Sequence, residues 1–503
     1  MTAPDIQWGA VGPTILVGAG AMVVLLLEVF LASRPSLLGR PLTRHWLGSA
    51  LALVSALFLG LAALATWQSF LVGSSVVFDP ANPLVRLDRF ANFAIALVSV
   101  GALLSCVLSV GYLSENRIQH GEYYALVLLA TSGMMLLVSA VDLVMLFLGL
   151  EIMSIPIYVL AGFDRRKLRS NESALKYFLI GSFASAVLLY GMALLYGATG
   201  HTGFEGIRAA WTGSPLGMLG LALVLVGFAF KVASVPFHQW VPDVYEGAPT
   251  TVTAYMSVAV KTAAFAALLR AVSEAFGPAQ QALAPVFWAL AAATMLVGNV
   301  MAVIQDNVKR LLAYSSVAHA GYVLIGLVAA TPDAHGAMLF YLLAYLFTNL
   351  GAFAVVVALA RRGREHDRLD DFTGLAARRP ALAALMTLFM LSLAGIPGTV
   401  GFMAKFHLFL AAVRAGEVVL TVIAVLTSVV SVYYYLRLPV VMYMREPVGE
   451  GAERPLASGE GLVLAVCAVA VVLLGVFPNQ PPLEFLSWIR ALDWTRESVA
   501  LLP

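Results

Sequence analysis

Apolar runs of about 20 residues, the length that crosses a bilayer, recur along this chain from near residue 13 to near residue 477, with short polar breaks between them. The pattern predicts about fourteen spanning helices, near 13–33, 46–66, 90–113, 122–140, 142–163, 172–197, 217–240, 250–274, 281–304, 310–330, 335–360, 380–413, 417–441 and 459–477. Two of them are interrupted. The seventh carries SVPFHQ, and the twelfth, too long for one straight helix, contains LAGIPGTVGF. Pro236 and Pro397 each remove a backbone donor, so both breaks must face protein or water. The fold class is therefore an all-α polytopic membrane protein.

The two broken helices stand five spans apart, which divides the chain into units at 122–274 and 281–441, preceded by three helices in 1–121 and followed by a last helix and tail in 459–503. Five is odd, so two such units insert in opposite orientations. That is the inverted-repeat plan of many transporters, with discontinuous helices at the transport site.

Composition removes the competing classes. Of 503 residues, 61% are hydrophobic and 12% charged, against about 25% charged in a soluble protein, so no soluble domain is expected. Cys106 and Cys467 each stand alone in an apolar segment, and no Cys/His cluster or Gly-rich βαβ turn supports a metal, iron–sulfur, haem or nucleotide site. The N-terminus lacks a basic n-region and its first apolar run is long enough to span, so no cleavable signal is expected. The basic residues set the orientation. With the N-terminus outside, the inside loops hold nineteen Lys and Arg, among them Arg34, Lys309, Arg362, Arg364 and Arg454. The outside holds seven, Arg270 included, so both termini are expected outside.

Four lysines fall within spans: Lys176, Lys231, Lys261 and Lys405. A charge in hydrocarbon costs roughly 2.5–3.5 kcal/mol on insertion scales, which makes such residues functional candidates. Lys231 precedes the first break by five residues and shares a helical face with Ser234 and His238. Glu151, near the middle of span five with Ser154 and Tyr158 on its face, is its expected partner. A pair whose separation changes would act as a proton valve, because a carboxylate neighbour favours the ammonium and desolvation disfavours it. Lys261 ends a stripe of Thr250, Thr253 and Ser257, a seam that holds water or merely back-bonds to its own helix. His319 lies in a span centre with Ser315, Ser316 and Tyr322 at helical spacing, suited either to relaying protons or to hydrogen bonding in a core. Lys405 follows the second break, beside His407, and is expected to echo Lys231. Lys176 is only about one turn inside the end of span six, where snorkelling competes with function. Glu28 sits near the inside end of span one. Asp243 and Glu246, in the loop after the first break, either feed protons inward or build the turn.

Three stretches carry a specific likeness: FHQWVPDVYEGAPTTVTAYMSVAVKTAAF, VKRLLAYSSVAHAGYVLIGL and LAGIPGTVGFMAKF. They resemble the antiporter-like subunits of proton-pumping NADH–quinone oxidoreductase, respiratory complex I. The VPDVYEGAPT wording resembles subunit N more than its paralogues L and M, and the likeness covers nearly the whole chain. The resemblance implies two inverted repeats with discontinuous helices seven and twelve. It implies Glu151 and Lys231 as an ion pair, Lys261 and His319 as connecting groups, and Lys405 as the outlet. It further implies that FMN, iron–sulfur clusters and quinone belong to partner subunits. The expected partners are lipid, the neighbouring antiporter-like subunit M and the small membrane subunits K and J, not nucleic acid, and the expected location is the bacterial inner membrane. Two readings compete with redox-driven pumping. One is a subunit of a multisubunit cation/proton antiporter or membrane-bound hydrogenase, and the other is a structural subunit whose buried charges stabilise helix packing.

Overall fold

The computed structural model describes residues 6–32, 36–37, 40–41, 44–361, 365–446, 455–479, 490–500 and 502. Of the basic residues counted above, Arg34, Arg362, Arg364 and Arg454 lie outside the described residues. Thirteen described helices are long and apolar enough to cross a membrane, and one expected span, the twelfth, is split in two. The chain is a multi-pass, all-α membrane protein.

The first six helices are α1 (Gly12–Ala32), α2 (Arg44–Val72), α3 (Arg89–Glu115), α4 (Gly121–Ser139), α5 (Leu143–Ala161) and α6 (Leu168–Thr199). Polar residues at their boundaries do the capping. Asp88 accepts from Ala91 N at the start of α3, and Asp142 accepts from Val144 N at the start of α5. Glu28 performs a similar service between helices, its carboxylate accepting from Gly121 N at the start of α4 at 2.7 Å. A short helix, α7 (Phe204–Ala210), leads into α8 (Pro215–Val232), which starts on a Ser214 cap with proline at its first position.

The first break follows α8. Ala233 takes a left-handed conformation (φ 64°), Pro236 offers no N–H, and the helix resumes as α9 (Trp240–Gly247). Several of the freed backbone groups are met by protein. Ser234 N donates to Ala229 O, the Trp240 indole donates to Phe230 O at 3.2 Å, and Val235 N donates to Thr294 Oγ1. Because the helix stops at Val232, Ser234 and His238 lie in the break itself and share no helical face with Lys231. That corrects the face expected from spacing.

The next span is α10 (Thr250–Tyr255), a five-residue π-helical turn at Met256–Val260, and α11 (Lys261–Glu274). Every one of these residues is buried. Then come α12 (Gln280–Val303), α13 (Val308–Ala329), buried throughout except at Arg310, and α14 (Pro332–Leu359). After a four-residue α15 (Leu375–Arg378), the split span consists of α16 (Pro380–Ala394) and α17 (Val400–Arg414). Gly395 and Gly398 carry the second break with φ of 86° and 88°. At Gly401 a side chain is impossible without movement, since a Cβ would lie 1.8 Å from the Ser392 carbonyl oxygen. The last helices are α18 (Val418–Met444), α19 (Ser458–Val476) and a short terminal α20 (Ala491–Val499).

The two most deeply buried spans, α10 to α11 and α13, therefore form the axis of the molecule, and they carry Lys261 and His319. Two charges assigned to loops by hydropathy are also buried. Lys309 donates to Ala248 O at 2.7 Å, and Arg270 pairs with Asp88 at 2.5 Å. Each has a nearby acceptor that compensates for lost water, which a hydropathy window does not register.

Candidate functional site

Lys231 closes the last turn of α8 and is 4% exposed. Its Nζ donates to Ser154 Oγ at 2.7 Å and Tyr158 Oη at 3.3 Å, both on α5, and it lies 5.4 Å from the centre of the Tyr158 ring. Glu151 is one turn back on the same helix, yet it does not touch the lysine. Its Oε1 accepts from Ser185 Oγ of α6 at 2.5 Å. The expected ion pair is thus open, because Ser154 occupies the ammonium and Ser185 the carboxylate.

Lys261 begins α11, immediately after the π-helical turn, and is likewise 4% exposed. Its Nζ donates to both the carbonyl and the hydroxyl of Ser316 on α13, each at 2.5 Å, and lies 5.9 Å from the Tyr345 ring centre. One turn along α13, His319 is held at both nitrogens. Nδ1 bonds Tyr341 Oη at 2.7 Å and Nε2 bonds Tyr435 Oη at 3.0 Å. The Tyr345 ring lies 5.1 Å from the imidazole, so it borders Lys261 and His319 together.

Lys405, on α17, is 5% exposed. Its Nζ donates to Ala394 O at 2.9 Å and Ser428 Oγ at 2.7 Å. Ala394 is the last residue of α16, so the lysine fills an acceptor that the break leaves free. The ammonium also lies 5.1 Å from the Tyr322 ring centre, and Tyr322 stands edge-on to His319 at 5.7 Å. Lys261, His319 and Lys405 thus form one connected group. Among the described residues, none of Lys231, Lys261 and Lys405 makes an ion pair. Their partners are hydroxyls, carbonyls and ring faces.

Three expectations need correction. Lys405 does not occupy the place of Lys231. Aligned on Pro236 and Pro397, that place belongs to Ser392, which hydrogen-bonds Thr348 and Gly401 N. His407 does not join Lys405: two residues apart on a helix point about 200° apart, and His407 packs on Phe340 and Phe406. Lys176 stands apart from the buried line. It is 41% exposed in its side chain and pairs with Asp243 at 2.8 Å and Glu172 at 2.7 Å. Arg310 completes this cluster with Asp243 at 2.7 Å and Glu246 at 3.0 Å. Burial opposes ionisation of Asp243, but hydrogen bonds from Lys176 and Arg310 prevail and hold its carboxyl below the ordinary value.

The stripe on the Lys261 helix is neither wholly back-bonded nor wholly open. Thr250 donates to Glu365 Oε2 at 2.6 Å and Thr253 to Tyr245 O at 2.9 Å. Ser257 donates back to Ala254 O at 2.8 Å and accepts from Asn349 Nδ2 of α14 at 2.7 Å. Glu365 is a residue the sequence did not single out. It lies in a loop of mixed charge, yet its carboxylate accepts from Tyr112 Oη, Lys167 Nζ and Thr250 Oγ1, each at 2.6 Å. Burial alone would raise its pKa, but the fields of Lys309 and Lys167 and these bonds bring it down to about 2. No local signal marks it. Its partners come from three distant segments.

Comparison with known proteins places this geometry. Residues 140–431 match the family model described as NADH:quinone oxidoreductase/Mrp antiporter, transmembrane. The chain is 45% identical over 490 residues to a protein of Sorangium cellulosum named NADH-quinone oxidoreductase subunit N 1, covering 93% of this chain and 96% of the relative. It is similar to a chain of respiratory complex I from Thermus thermophilus solved with bound aureothin, at 35% identity and TM-score 0.77, over 93% of this chain and 97% of that one. A chain of the Mrp complex from Dietzia shares the fold at TM-score 0.82, covering 99% of this chain and 98% of that one, with 24% identity.

Proposed function

This chain belongs to the NADH:quinone oxidoreductase/Mrp antiporter transmembrane family, and from that premise we propose that Lys231, Lys261, His319 and Lys405, with Glu151, carry protons through it. It is an antiporter-like, proton-pumping subunit of bacterial NADH–quinone oxidoreductase, assembled with other membrane subunits of that complex. The single observation that carries the residue assignment is the burial of three lysines among neutral acceptors. An ammonium locked to a carboxylate loses its proton only by stranding a buried charge. An ammonium held by Ser, Tyr and backbone oxygens can release a proton and leave every remaining group neutral, while its amine keeps a hydrogen bond.

The stations follow from the contacts. Lys231 is held by Ser154 and Tyr158, one turn from the carboxylate that would recapture it when Ser185 lets go. Lys261 exchanges across Ser316 towards His319, whose two tyrosine partners fix the ring for proton transfer at either nitrogen. Tyr322 lies between His319 and Lys405, and Lys405 is the outlet at the second break. Lys176, with Asp243 and Arg310, is an interfacial cluster on the flank of this path.

Both termini lie on the outside face, as the basic-residue count indicates. The units 122–274 and 281–441 act as inverted repeats. What supports this is that α4 packs on α5 and α11 as α12 packs on α13 and α18. Electron transfer, with FMN, iron–sulfur clusters and quinone, resides in partner subunits, and subunits M, K and J are the neighbours. Gradient-driven cation/proton antiport is the second reading, favoured by the shared Mrp fold but not by the identity to subunit N. Reconstituted complex tests the choice. NADH should drive proton movement without sodium, and sodium movement in the absence of NADH would support antiport instead.

A further inference from the structure

Three aromatic rings face the ammonium of Lys231. Its Nζ lies 5.4 Å from the ring centre of Tyr158, 5.5 Å from that of Phe230 and 6.0 Å from that of Tyr177. The rings come from three helices, α5, α8 and α6, and all are buried. Each distance is within the about 6 Å over which a ring face attracts a cation, and such contacts occur roughly once per 70–80 residues. Three on one ammonium are therefore a built arrangement. Among the described residues, Lys261 and Lys405 have one ring each, Tyr345 and Tyr322.

The hydrogen bonds explain why Lys231 differs. Lys261 and Lys405 each donate to a backbone carbonyl and a serine hydroxyl. Among the described residues, Lys231 donates to no carbonyl. It has the Ser154 hydroxyl at 2.7 Å and the weaker Tyr158 bond at 3.3 Å, while Glu151 is taken up by Ser185. The negative faces of the rings supply the attraction that a carbonyl or a closed ion pair would give. They do so without offering a second place for the proton.

The rings are tied to the first break. Trp240, the first residue of α9, stacks on Tyr177 at 4.3 Å with planes 8° apart, and its ring lies 5.1 Å from that of Phe230. The indole also donates to Phe230 O, in the last turn of α8, at 3.2 Å. Tyr177 in turn meets Tyr158 edge-on at 4.8 Å. One side chain beyond the break thus backs two of the three rings.

We propose that Tyr158, Tyr177 and Phe230 form an aromatic cage that keeps Lys231 charged while its pair with Glu151 is open, and that Trp240 locks this cage across the break. A shift of α9 against α8 draws Trp240 off both rings and loosens the hold on the ammonium as the break moves. Tyr177, Phe230 and Trp240 are positioning residues, and none of them titrates in the cycle. The inference rests on the assignment of Lys231 as a proton carrier.

The test reads NADH-driven proton pumping by the assembled complex in vesicles. Tyr177→Phe is compared with the same ring carrying one, two and three fluorines, introduced by nonsense suppression. Fluorine drains the negative ring face while hardly changing its size. A carrier needs loaded and empty forms close in free energy, so a weaker hold empties it. Tyr177→Phe should pump within about twofold of wild type, and each fluorine should lower the rate, to about a tenth at three. Packing alone predicts a flat series, and a flat series overturns the inference. Trp240→Phe keeps a ring but loses the indole N–H, and should lower pumping by about threefold. Combined with the trifluorinated ring it should cost less than the product of the two losses, because both weaken one cage. Losses that multiply in full remove Trp240 from the cage. Lys231→Met separates the two levels: normal pumping there removes the lysine assignment and the cage with it, whereas loss there beside a flat fluorine series removes only the cage.

Discussion

Glu151 and Lys231 face one another across α5 and α8 without touching, each satisfied by a serine: Ser185 bonds the carboxylate and Ser154 the ammonium. The arrangement has a clear consequence. A pair that can close has two states, and the serines define the open one. Closing requires the Ser185 bond to break, so the balance between states is set by hydroxyls worth about 0.5–1.5 kcal/mol each, or more with a charged partner. That is a range in which a partner subunit can tip the balance.

Removing the carboxylate should therefore cost function rather than folding. Glu151→Gln keeps the Ser185 bond but abolishes the closed, ionic state. It should reduce NADH-driven pumping by about tenfold while the subunit still assembles. Glu151→Asp, which retains charge at shorter reach, should fall between. Pumping at the wild-type rate by Glu151→Gln would show that the pair does not switch.

Lys176 provides the contrast. It is exposed and shared between two carboxylates, and exposed ion pairs contribute little. Lys176→Ala should lower pumping by less than about twofold, and the residual effect should shrink as salt rises. A loss comparable to that of a buried lysine would return Lys176 to the path.

Glu365 gives a pH dependence with a defined sign. Its carboxyl is held at about 2 in the folded protein, against an ordinary value of 4.5. A lowered carboxylate stabilises the fold above its unfolded value and loses that contribution as pH falls through the folded one. The stabilisation, about 3 kcal/mol, is therefore complete above about pH 4.5 and fades towards pH 2. Glu365→Gln should lower the thermal midpoint at pH 7 and flatten the acid-side loss in that window. The comparison is a thermal melt of the purified complex at several pH values, and an unchanged acid limb would contradict the network.

At the second break, Gly401→Ala places a methyl 1.8 Å from the Ser392 oxygen, too near for a side-chain movement to relieve. The break and the Lys405–Ala394 bond should be lost together. Membranes should then contain little assembled subunit, as read on a native gel.

Much of this molecule was legible from hydropathy. The fourteen spans and both breaks follow from run length and from Pro236 and Pro397, because bilayer thickness is a constraint that sequence meets locally. Lys231, Lys261 and Lys405 were legible for the same reason: charges in apolar runs are conspicuous. What spacing misjudged was direction. Ser234 and His238 left the face of Lys231 because a left-handed Ala233 ends the helix early. The echo between Lys231 and Lys405 failed because one precedes its break and the other follows it. Glu365, Lys309 and Arg270 escaped notice because their bonding depends on partners tens to hundreds of residues away, which no window along the chain contains.

The most direct test of the central claim is the rate of NADH-driven proton pumping by complex that contains Lys405→Met. Methionine keeps the apolar length and leaves Ala394 O and Ser428 to find other partners, so assembly should persist. The account predicts assembled complex in near-normal amount whose pumping falls by at least about tenfold. Assembled complex that pumps at the wild-type rate would contradict it, and would leave the buried lysine as a packing element only.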